Sequence, residues 1–537
     1  MELGDRGRPM IRPRSLLEAA HAGAGLAVSA GLVRPMGPAT VGRMIGAGLR
    51  HQASASALLG LAAAQWPDRP CVIDDDGVST CAEVYRRTGR LAGALRARGV
   101  LRGSKVGVMC RNHVGFVVAS FAALWADADL VLLNTDFGPT QLGDVIRGQG
   151  IDVLVHDEEF AERLTGIDVD AYVADAGGAS SIRSLESEGR RPPATGGSHG
   201  RLVIMTSGTT GSPKGSRRDA DLLGALAPVS SLLRGIGLRS GAPVLIAPPI
   251  FHGFGLAYLL MSMSLGCPVV LTRRFDPPDV LRRIARDRVE IVFAVPVMIA
   301  RLLAVPADVR GSSDLSSLRA VQSGAAPLPP DLATRFMDAF GEVLHDVYGS
   351  TESGWSTLAS SQDLRDAPGT VGRPLRGVSI RVLGPDDRSV AADEVGAIFV
   401  SSGMTEPIYT GGGGKRVVDD HVSTGDLGHL DGAGRLFIDG REDDMIVSGG
   451  ENVFPGEVED VLDSHPDVDE VYVHGVVDSE FGQRLRAEVV LRDDTEVSAQ
   501  DIKDFVRERL ARFKVPRDVE FVEALERTAT GKVRRVR

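Results

Sequence analysis

The sequence of 537 residues contains few cysteines. The four that occur, Cys71, Cys81, Cys110 and Cys267, include no C-x-x-C pair, and we identify no histidine beside them at the spacing of a metal site. A disulfide framework or a structural zinc site is therefore not expected. The pattern predicts buried, reduced thiols and a cytoplasmic setting.

Long apolar runs are absent as well. No uninterrupted apolar stretch reaches the ~20 residues that a membrane-spanning helix needs. Residues 16–33 come nearest, but they include Glu18 and His21, are mostly alanine and glycine, and lack the cleavage context of a secretory signal. The sequence therefore predicts no membrane-spanning segment.

An excess of positive charge is the third absence. The chain has 60 lysines and arginines against 71 acidic residues, a formal net charge of -11. Nucleic acid is excluded as the main partner, because binding to a phosphate backbone needs a positive face. With 43% hydrophobic and 24% charged residues the composition is that of a globular protein.

The chain is long enough for a large domain with a smaller partner. Residues 1–54 form a predicted helical leader with two apolar stripes, one at Leu16, Ala20, Ala24 and Val28 and one at Val41, Met44, Ile45 and Leu49. Two interpretations of the leader stay open. It packs against the main body, or it docks peripherally on the inner face of a membrane.

Beyond the leader, short apolar runs alternate with helical patterns, which predicts α/β layering. Strands are expected at 104–110, 130–134, 202–205, 244–247, 269–272 and 291–294, and helices at 114–126 and 278–287. Residues 176–200 are predicted to be an exposed loop, 370–439 to be rich in turns and strands, and 411–414 to be a glycine loop. From about residue 444 the pattern suits a small α+β domain, with helices at 455–464 and 498–512 and strands at 468–477 and 487–491.

The densest cluster of small and polar residues reads TSGTTGSPKG at 206–215. Glycines let backbone amides approach phosphate oxygens, hydroxyls donate further hydrogen bonds, and Lys214 adds a mobile positive charge. The spacing is not the G-x-x-x-x-G-K-[ST] of P-loop nucleotide hydrolases. Because the cluster follows a predicted strand, we expect a phosphate-binding loop.

Four further segments appear in a fixed order: YGSTE at 348–352, STGDLG at 423–428, GREDDMIVSGGENVFPGE at 440–457 and TATGK at 528–532. Together with the phosphate loop they resemble the adenylate-forming superfamily of acyl-CoA synthetases, luciferases and peptide-synthetase adenylation domains. The resemblance runs from about residue 55 to the end. It implies an α/β fold: a large multi-layer domain at 55–442 with α/β subdomains and a distorted β-barrel, and a small mobile α+β domain at 443–537.

The resemblance implies a nucleotide site. Phosphate contacts are implied for Thr206, Ser207, Gly208, Thr209, Thr210, Gly211 and Lys214. The adenine is implied to stack on Tyr348, which Gly349 follows, beside the backbone of Gly324, Ala325 and Ala326. Asp426 matches an aspartate that accepts both ribose hydroxyls, and Arg441 an arginine that reaches the ribose or the phosphates.

Catalytic roles are implied at two further motifs. Thr351 matches a threonine that touches the α-phosphate, and Glu352 a ligand of Mg²⁺, a hard cation that prefers carboxylates. Lys532 matches the lysine of the first half-reaction. A cation is needed there, because the acid's carboxylate and the α-phosphate are both anions.

For the second half-reaction, the resemblance implies that the small domain rotates about Asp443. The stretch with Ser448, Gly449, Gly450 and Glu451 then faces the site and leaves room for the pantetheine arm of coenzyme A. A thiol with a pKa of about 8.5 is already a few per cent thiolate near neutrality, so no dedicated base is required.

His252 matches a position beside the incoming carboxylate, although a histidine of the core is the alternative. The segment around it, FHGFGLAYLL, has no aspartate to hold the amino group of an amino acid, which favours an uncharged acid. Apolar neighbours suit an alkyl or aryl tail: Phe254, Leu256, Val297 and Met298. The stretch after the phosphate loop, SRRDADLL, lacks a histidine often found there in acyl-CoA synthetases, so details of substrate entry stay open.

We therefore expect an acid–thiol ligase that uses ATP, Mg²⁺ and coenzyme A to activate a medium- or long-chain fatty acid through an acyl-adenylate. Three alternatives remain: a ligase for an aryl or other small acid, a fatty-acyl-AMP ligase that delivers to a carrier protein, and an inactive nucleotide-binding scaffold. Retention of Lys214, Glu352, Asp426 and Lys532 argues against the scaffold. The sequence carries no signature of an oligomeric state.

Overall fold

A computed structural model describes the chain in separate stretches: residues 36–51, 56–189, 200–206, 214–216, 222–350, 353–405, 416–442, 446–448, 451–478, 482–492, 495–510, 514–527 and 533. Within them, the strands form three sheets of 14, six and five strands. No helix of this described part is long and apolar enough to cross a membrane.

The six-stranded sheet carries the first half of the large domain, in the order β6-β5-β3-β4-β7-β8. Its strands are β3 (Lys105–Met109), β4 (Asp129–Leu132), β5 (Val153–His156), β6 (Asp170–Val173), β7 (Leu202–Thr206) and β8 (Lys214–Ser216). All neighbours run parallel except β7 and β8. Parallel strands need crossover connections, which are usually helices. The alternation of apolar runs with helical patterns in the sequence had predicted such helices.

The largest sheet has a parallel half and an antiparallel half. The first half holds β1 (Pro70–Asp74), β2 (Gly77–Thr80), β9 (Val244–Ile246), β10 (Val269–Leu271), β11 (Ile291–Phe293), β12 (Ala320–Gly324) and β13 (Leu344–Ser350). Its neighbouring strands pair parallel except β1 and β2 at the edge, which pair antiparallel. The second holds β14 (Gly354–Ala359), β15 (Thr370–Pro374), β16 (Ser379–Leu383), β17 (Gly396–Ser401), β18 (Val417–Val418), β19 (His421–Leu430) and β20 (Leu436–Arg441). The distorted β-barrel that the resemblance implied corresponds to this antiparallel half of the sheet.

Helices pack between and around these two sheets. They are α1 (Pro38–His51), α2 (Ser56–Gln65), α3 (Cys81–Ala97), α4 (Val114–Trp125), α5 (Pro139–Gln149), α6 (Ile182–Glu188), α7 (Leu222–Gly235), α8 (Gly253–Ser264), α9 (Pro277–Arg286), α10 (Pro296–Leu303), α11 (Ala307–Gly311), α12 (Pro330–Phe340) and α13 (Ser361–Asp366), with a 3₁₀ helix at Glu158–Leu164. All twelve residues of α4 are buried. One apolar core joins α4 to strands of both sheets, as expected of a helix that is apolar on every side.

Helix α3 shows how local sequence fixes an element's start. The Thr80 hydroxyl accepts a hydrogen bond from the Glu83 amide at 3.2 Å, and the Glu83 carboxylate accepts one from the Thr80 amide at 2.8 Å. This reciprocal pair satisfies two amides that the first helical turn leaves unpaired. Thr80 and Glu83 stand at the T-x-x-E spacing of such a pair, although the sequence analysis did not single them out.

The small domain has a core of its own, built on the five-stranded sheet. Its elements are β21 (Ile446–Ser448), β22 (Glu451–Val453), α14 (Pro455–Asp463), β23 (Val468–Asp478), β24 (Gly482–Leu491), α15 (Ala499–Arg507) and β25 (Asp518–Phe521). The large and small domains confirm the predicted α/β fold class. The boundaries proposed at residues 54 and 442 stay predictions.

Most predicted elements are present, and two predictions were wrong in part. The stretch 176–200 was expected to be a loop but contains α6, which begins because the Ser181 side chain caps its first turn. The helix expected at 498–512 ends at Arg507. The helix proposed for 16–33 and the glycine loop at 411–414 lie outside the described residues.

Candidate active site

Four neighbouring strands of the large sheet, β9, β11, β12 and β13, run parallel. Their carboxyl ends therefore meet at one edge, which is where open α/β sheets bind ligands. His252 follows β9, the turn Gly324–Ala326 follows β12, and Tyr348 lies near the end of β13. Three separately predicted site segments thus come together at this edge.

The turn after β12 requires a glycine. A Cβ atom on Gly324 would lie 2.6 Å from the Phe254 ring and 2.7 Å from Val347, closer than packed atoms approach. Ala325 follows with φ of 67°, in the left-handed region that side chains rarely adopt. The pairing of Gly324 with Val347 places the turn against β13, next to Tyr348 in sequence. This is the arrangement that we expect where the backbone of residues 324–326 borders an adenine ring stacked on Tyr348.

Tyr348, Asp426 and Arg441 form a hydrogen-bonded group. The Tyr348 hydroxyl donates to one oxygen of Asp426 at 2.6 Å, and the Arg441 guanidinium donates to the other at 3.2 Å. Burial, and next the negative charge of Asp426, raise the pKa of Tyr348 well above its ordinary value, so the hydroxyl remains protonated. Asp426 and Arg441 lie opposite each other on β19 and β20. A fixed carboxylate of this kind can accept hydrogen bonds from the two hydroxyls of a ribose.

Thr424 positions Asp426, a role that the sequence reading missed. Its buried hydroxyl accepts a hydrogen bond from the Asp426 amide at 3.1 Å and donates to the Ile398 carbonyl at 3.2 Å. Gly425 between them, within β19, has φ of 82°, in the left-handed region that favours glycine. The Ser423 hydroxyl accepts from the Gly425 amide at 3.2 Å. The hydroxyls of the STGDLG segment thus set the direction of its aspartate.

We predict that Thr424→Val raises the KM for ATP about three- to tenfold, because the loss of one or two neutral hydrogen bonds lets Asp426 shift. The KM for the acid should stay unchanged. Thr370→Val is the matched control: the buried Thr370 hydroxyl likewise donates to a carbonyl, of Leu436, and accepts from the amide two residues on, of Gly372. Steady-state kinetics check this, and equal effects of both variants on the KM for ATP would contradict it.

His252 occupies the N-cap position of α8 without a side-chain capping hydrogen bond, and its ring lies 4.5 Å from the ring of Phe251. A residue from the other sheet holds this segment. The buried Asn112 side chain donates to the Pro248 carbonyl at 2.9 Å and accepts from the Ile250 amide at 2.9 Å. Asn112 was not predicted, although an asparagine directly after a buried strand was the available signal.

The two ends of the phosphate-loop motif lie side by side. Strands β7 and β8 pair antiparallel, with Thr206 opposite Lys214. Thr206 and Lys214 are placed by their backbones alone. Five predicted contacts lie outside the described residues: Ser207, Gly208, Thr209, Thr210 and Gly211.

Thr351 and Glu352 also lie outside the described residues, but the residues that flank them are held together. The Ser350 amide donates to the Ser353 hydroxyl, and the Ser353 amide donates to the Ser350 hydroxyl, each at 3.1 Å. Strands β13 and β14 pair up to Ser350 and Gly354. Ser350 and Ser353, which flank the predicted ligand of Mg²⁺ in the sequence, are therefore bonded to each other.

The remaining predicted residues belong to the small domain. Ser448 and Glu451 face each other across the hairpin of β21 and β22, and Gly449 and Gly450 between them lie outside the described residues. Asp443 and Lys532 lie outside them too. Next to Asp443, the Glu442 amide donates to the Gly425 carbonyl at 2.9 Å.

Three residues with metal-ligating side chains meet in the core. The expectation that no histidine stands beside a cysteine at metal-site spacing was wrong, because His113 lies three residues after Cys110. Cys110, His113 and Asp157 bring their ligand atoms within 4.8 Å of one another. However, the His113 ring accepts from the Gly115 amide at 3.0 Å through Nδ1 and hydrogen-bonds Asp157 at 2.7 Å through Nε2. Burial raises the pKa of the Cys110 thiol, which disfavours the thiolate that a metal needs. The group is therefore structural, and all four cysteines are free and buried as predicted.

Asp346 lies two residues before Tyr348 and is buried. Burial raises its pKa to about 7, above the ordinary value of a free aspartate. The folded chain thus binds more protons than the unfolded chain between about pH 4 and pH 7. The contribution of this carboxyl to stability is greatest below that window and falls as the pH rises through it.

We predict that Asp346→Asn becomes more stable relative to the wild type as the pH rises from 4 to 8. The difference in the free energy of unfolding should grow by on the order of a few kcal/mol, because asparagine never ionises. Denaturant titrations at several pH values measure it. The exposed Asp308→Asn serves as control and should show no such trend. A pH-independent difference for Asp346→Asn would contradict the prediction.

Comparisons with known proteins agree with this geometry. A model of the AMP-binding enzyme family matches residues 60–410, and one of the AMP-binding enzyme C-terminal domain matches 457–532. A feruloyl-CoA synthase from an Amycolatopsis species is 34% identical over 461 residues, 84% of this chain and 92% of the relative. The long-chain-fatty-acid–CoA ligase FadD13 of Mycobacterium tuberculosis is 32% identical over 465 residues, 84% and 91% of the two chains.

A solved structure is similar as well. The o-succinylbenzoate CoA synthetase (MenE) of Bacillus subtilis, in complex with the acyl-adenylate intermediate OSB-AMP, superposes with a TM-score of 0.77 at 29% identity. The superposition covers 89% of this chain and 96% of that one. The similarity therefore extends through both domains.

Proposed function

This chain belongs to the AMP-binding enzyme family, and we propose that its site joins the carboxylate of an acid with an apolar tail to coenzyme A. The protein is an AMP-forming acid–thiol ligase that uses ATP, Mg²⁺ and coenzyme A. The first half-reaction yields acyl-adenylate and pyrophosphate. The second replaces AMP with the thiol and yields acyl-CoA.

The nucleotide is proposed to bind at the edge of the large sheet where the carboxyl ends of β9, β11, β12 and β13 meet. Asp426 would accept the ribose hydroxyls, with Arg441 beside it, and Tyr348 and the Gly324–Ala326 turn would hold the adenine. The observation that carries this proposal is the contact of both Asp426 oxygens with Tyr348 and Arg441. It leaves a largely buried carboxylate whose direction is fixed before any ligand binds. Thr206, Lys214 and the residues between them are proposed for the phosphates.

The first half-reaction brings two anions together, so it depends on cationic groups. Lys532 is proposed to lie between the carboxylate of the acid and the α-phosphate, with Thr351 at the α-phosphate and His252 beside the carboxylate. The carboxylate proposed to hold Mg²⁺ is Glu352, whose oxygen chemistry suits this ion. Bound Mg²⁺ would neutralise phosphate charge.

The second half-reaction needs access for a thiol. Asp443 is the proposed hinge, and Ser448, Gly449, Gly450 and Glu451 are proposed to border the pantetheine arm. A thiol of ordinary pKa suffices, because AMP is a good leaving group. The step forms the thioester bond, breaks the bond between acyl carbon and phosphate oxygen, and releases the thiol proton to solvent.

A fatty acid is one candidate for the acid. Leu256 and Met298 are buried and Phe254 is partly buried near the site, and no acidic residue occurs in the segment 251–260. The similarity to a long-chain-fatty-acid–CoA ligase supports this choice. Transfer to a carrier protein in place of coenzyme A is the related alternative.

An aryl acid is the second candidate, and specific observations favour it. The relatives named feruloyl-CoA synthase and indoleacetate–CoA ligase are 34% and 32% identical to this chain. Aromatic rings also gather behind the Gly324 turn: the Phe254 ring meets the Tyr258 ring edge-on at 4.9 Å. Edge-to-face contact is a favourable way to hold an aryl group.

A panel of acids separates the two candidates. Each buried methylene contributes about 0.8 kcal/mol, so an alkyl pocket predicts a gain in kcat/KM of about fourfold per CH₂ until the pocket is full. An aryl pocket instead predicts an optimum among benzoates and cinnamates and a fall for long straight chains. Equal kcat/KM for acids with charged and apolar tails would contradict an apolar pocket of either kind.

A further inference from the structure

Helix α1 presents an apolar stripe to solvent. Val41, Ile45 and Leu49 recur every four residues on one face, with exposed fractions of 39%, 59% and 77%. Fractions this high are unusual for large aliphatic side chains that follow one another along a helix. The second apolar stripe of the leader thus faces solvent. Packing of this stripe against the main body, one of the two interpretations of the sequence, is not what the structure shows.

The opposite side of α1 is anchored to the body of the protein. Ala47 and His51 are buried, and the His51 ring hydrogen-bonds the Tyr85 hydroxyl at 2.9 Å and meets the Trp125 ring edge-on at 4.4 Å. The Arg43 side chain donates to the Ala64 carbonyl at 3.1 Å. The helix therefore has a defined orientation, and its apolar stripe is a fixed surface feature.

The charge of this part of the chain is opposite to that of the rest. Residues 1–51 hold seven arginines and three acidic residues, a net charge of +4 in a chain whose net charge is -11. Between Glu18 and Asp68 there is no aspartate or glutamate at all, although acidic residues number 71 in 537. Four of the arginines, at positions 6, 8, 12 and 14, come shortly before the apolar stretch 16–33.

We propose that the face of α1 formed by Val41, Ile45 and Leu49, on a helix that carries Arg43 and Arg50 and no acidic residue, docks on the surface of an anionic lipid bilayer. A bilayer surface has an apolar acyl-chain boundary and a layer of anionic headgroups. A helix with an apolar stripe and no acidic residues complements both. Its aliphatic side chains enter the boundary of the acyl chains, and its cations attract the anionic headgroups. Self-association of two copies is less favoured, because it would bring two cationic segments together.

The docking surface lies outside the candidate active site, so the two are tested separately. The full-length protein is mixed with sedimentable vesicles of phosphatidylcholine alone or with phosphatidylglycerol. We expect it to sediment with the anionic vesicles, and the bound fraction to fall in high salt. The double variant Ile45→Asn, Leu49→Gln should lower the apparent affinity on the order of tenfold. Pyrophosphate release with a soluble acid should not change, which shows that the fold is intact.

Leu101→Gln is the matched control, because Leu101 is a large aliphatic residue that is 56% exposed but lies between α3 and β3. It should bind anionic vesicles like the wild type. Absence of binding by the wild type, or equal loss in both variants, would overturn the proposal. So would a wild-type dimer that the double variant converts to a monomer, since a second copy would then cover the stripe. If the double variant bound anionic vesicles as tightly as the wild type, the face formed by Val41, Ile45 and Leu49 would be excluded as the docking surface.

Discussion

Replacing Lys532 with alanine is expected to lower the rate of adenylate formation about 10²–10³-fold, the usual cost of removing one preorganised stabiliser of transition-state charge. The physical reason is the mutual repulsion of a carboxylate and an α-phosphate. Thioester formation from a supplied acyl-adenylate should be spared, because in that step the phosphate is already bonded to the acyl group and no carboxylate has to approach it.

The two halves can be measured separately. Acid-dependent pyrophosphate release reports the first, and acyl-CoA formed from synthetic acyl-adenylate reports the second. Lys503→Ala is the control, since Lys503 is an exposed lysine of the same domain that donates to the Arg517 carbonyl. If Lys532→Ala reduced both halves equally, the proposed division of labour would be wrong.

Asp443→Pro should have the reverse effect. Proline fixes φ near -65° and removes a backbone N–H, so it stiffens the proposed hinge. Adenylate formation should persist, whereas acyl-CoA formation should fall by an order of magnitude or more if the small domain must rotate first. Bound acyl-adenylate would then accumulate, which rapid quenching detects.

Asp443→Ala is the companion variant, because alanine leaves φ free while removing the same carboxylate. It should keep most of the thioester activity. Loss of that activity in both variants would assign the effect to the carboxylate and not to backbone freedom. An unaffected thioester step in Asp443→Pro would place the hinge elsewhere.

Local patterns predicted the strands well, because the apolar runs of four or five residues that mark them act over short distances. The contact of Tyr348 with Asp426 joins residues 78 positions apart, and motif order alone pointed to it. Helix α6 was missed because its surroundings are rich in glycine and serine, although Ser181 was a readable cap.

Residues that act by positioning other residues could not be predicted from the sequence. Thr424 and Asn112 position their neighbours through hydrogen bonds to backbone atoms, and such bonds depend on where distant strands lie. The Cys110, His113 and Asp157 group was missed for the same reason, since Asp157 comes from beyond a different strand. The roles of the phosphate loop, Glu352, Asp443 and Lys532 remain predictions.

Acid-dependent release of pyrophosphate from Mg-ATP, measured with and without coenzyme A, tests the central claim most directly. The panel consists of straight-chain fatty acids, benzoates, cinnamates and amino acids. We expect release with acids that have apolar tails, limited to about one turnover without coenzyme A and sustained with it. Release that coenzyme A does not sustain would contradict a CoA ligase, and no release with any acid would contradict an adenylate-forming enzyme altogether.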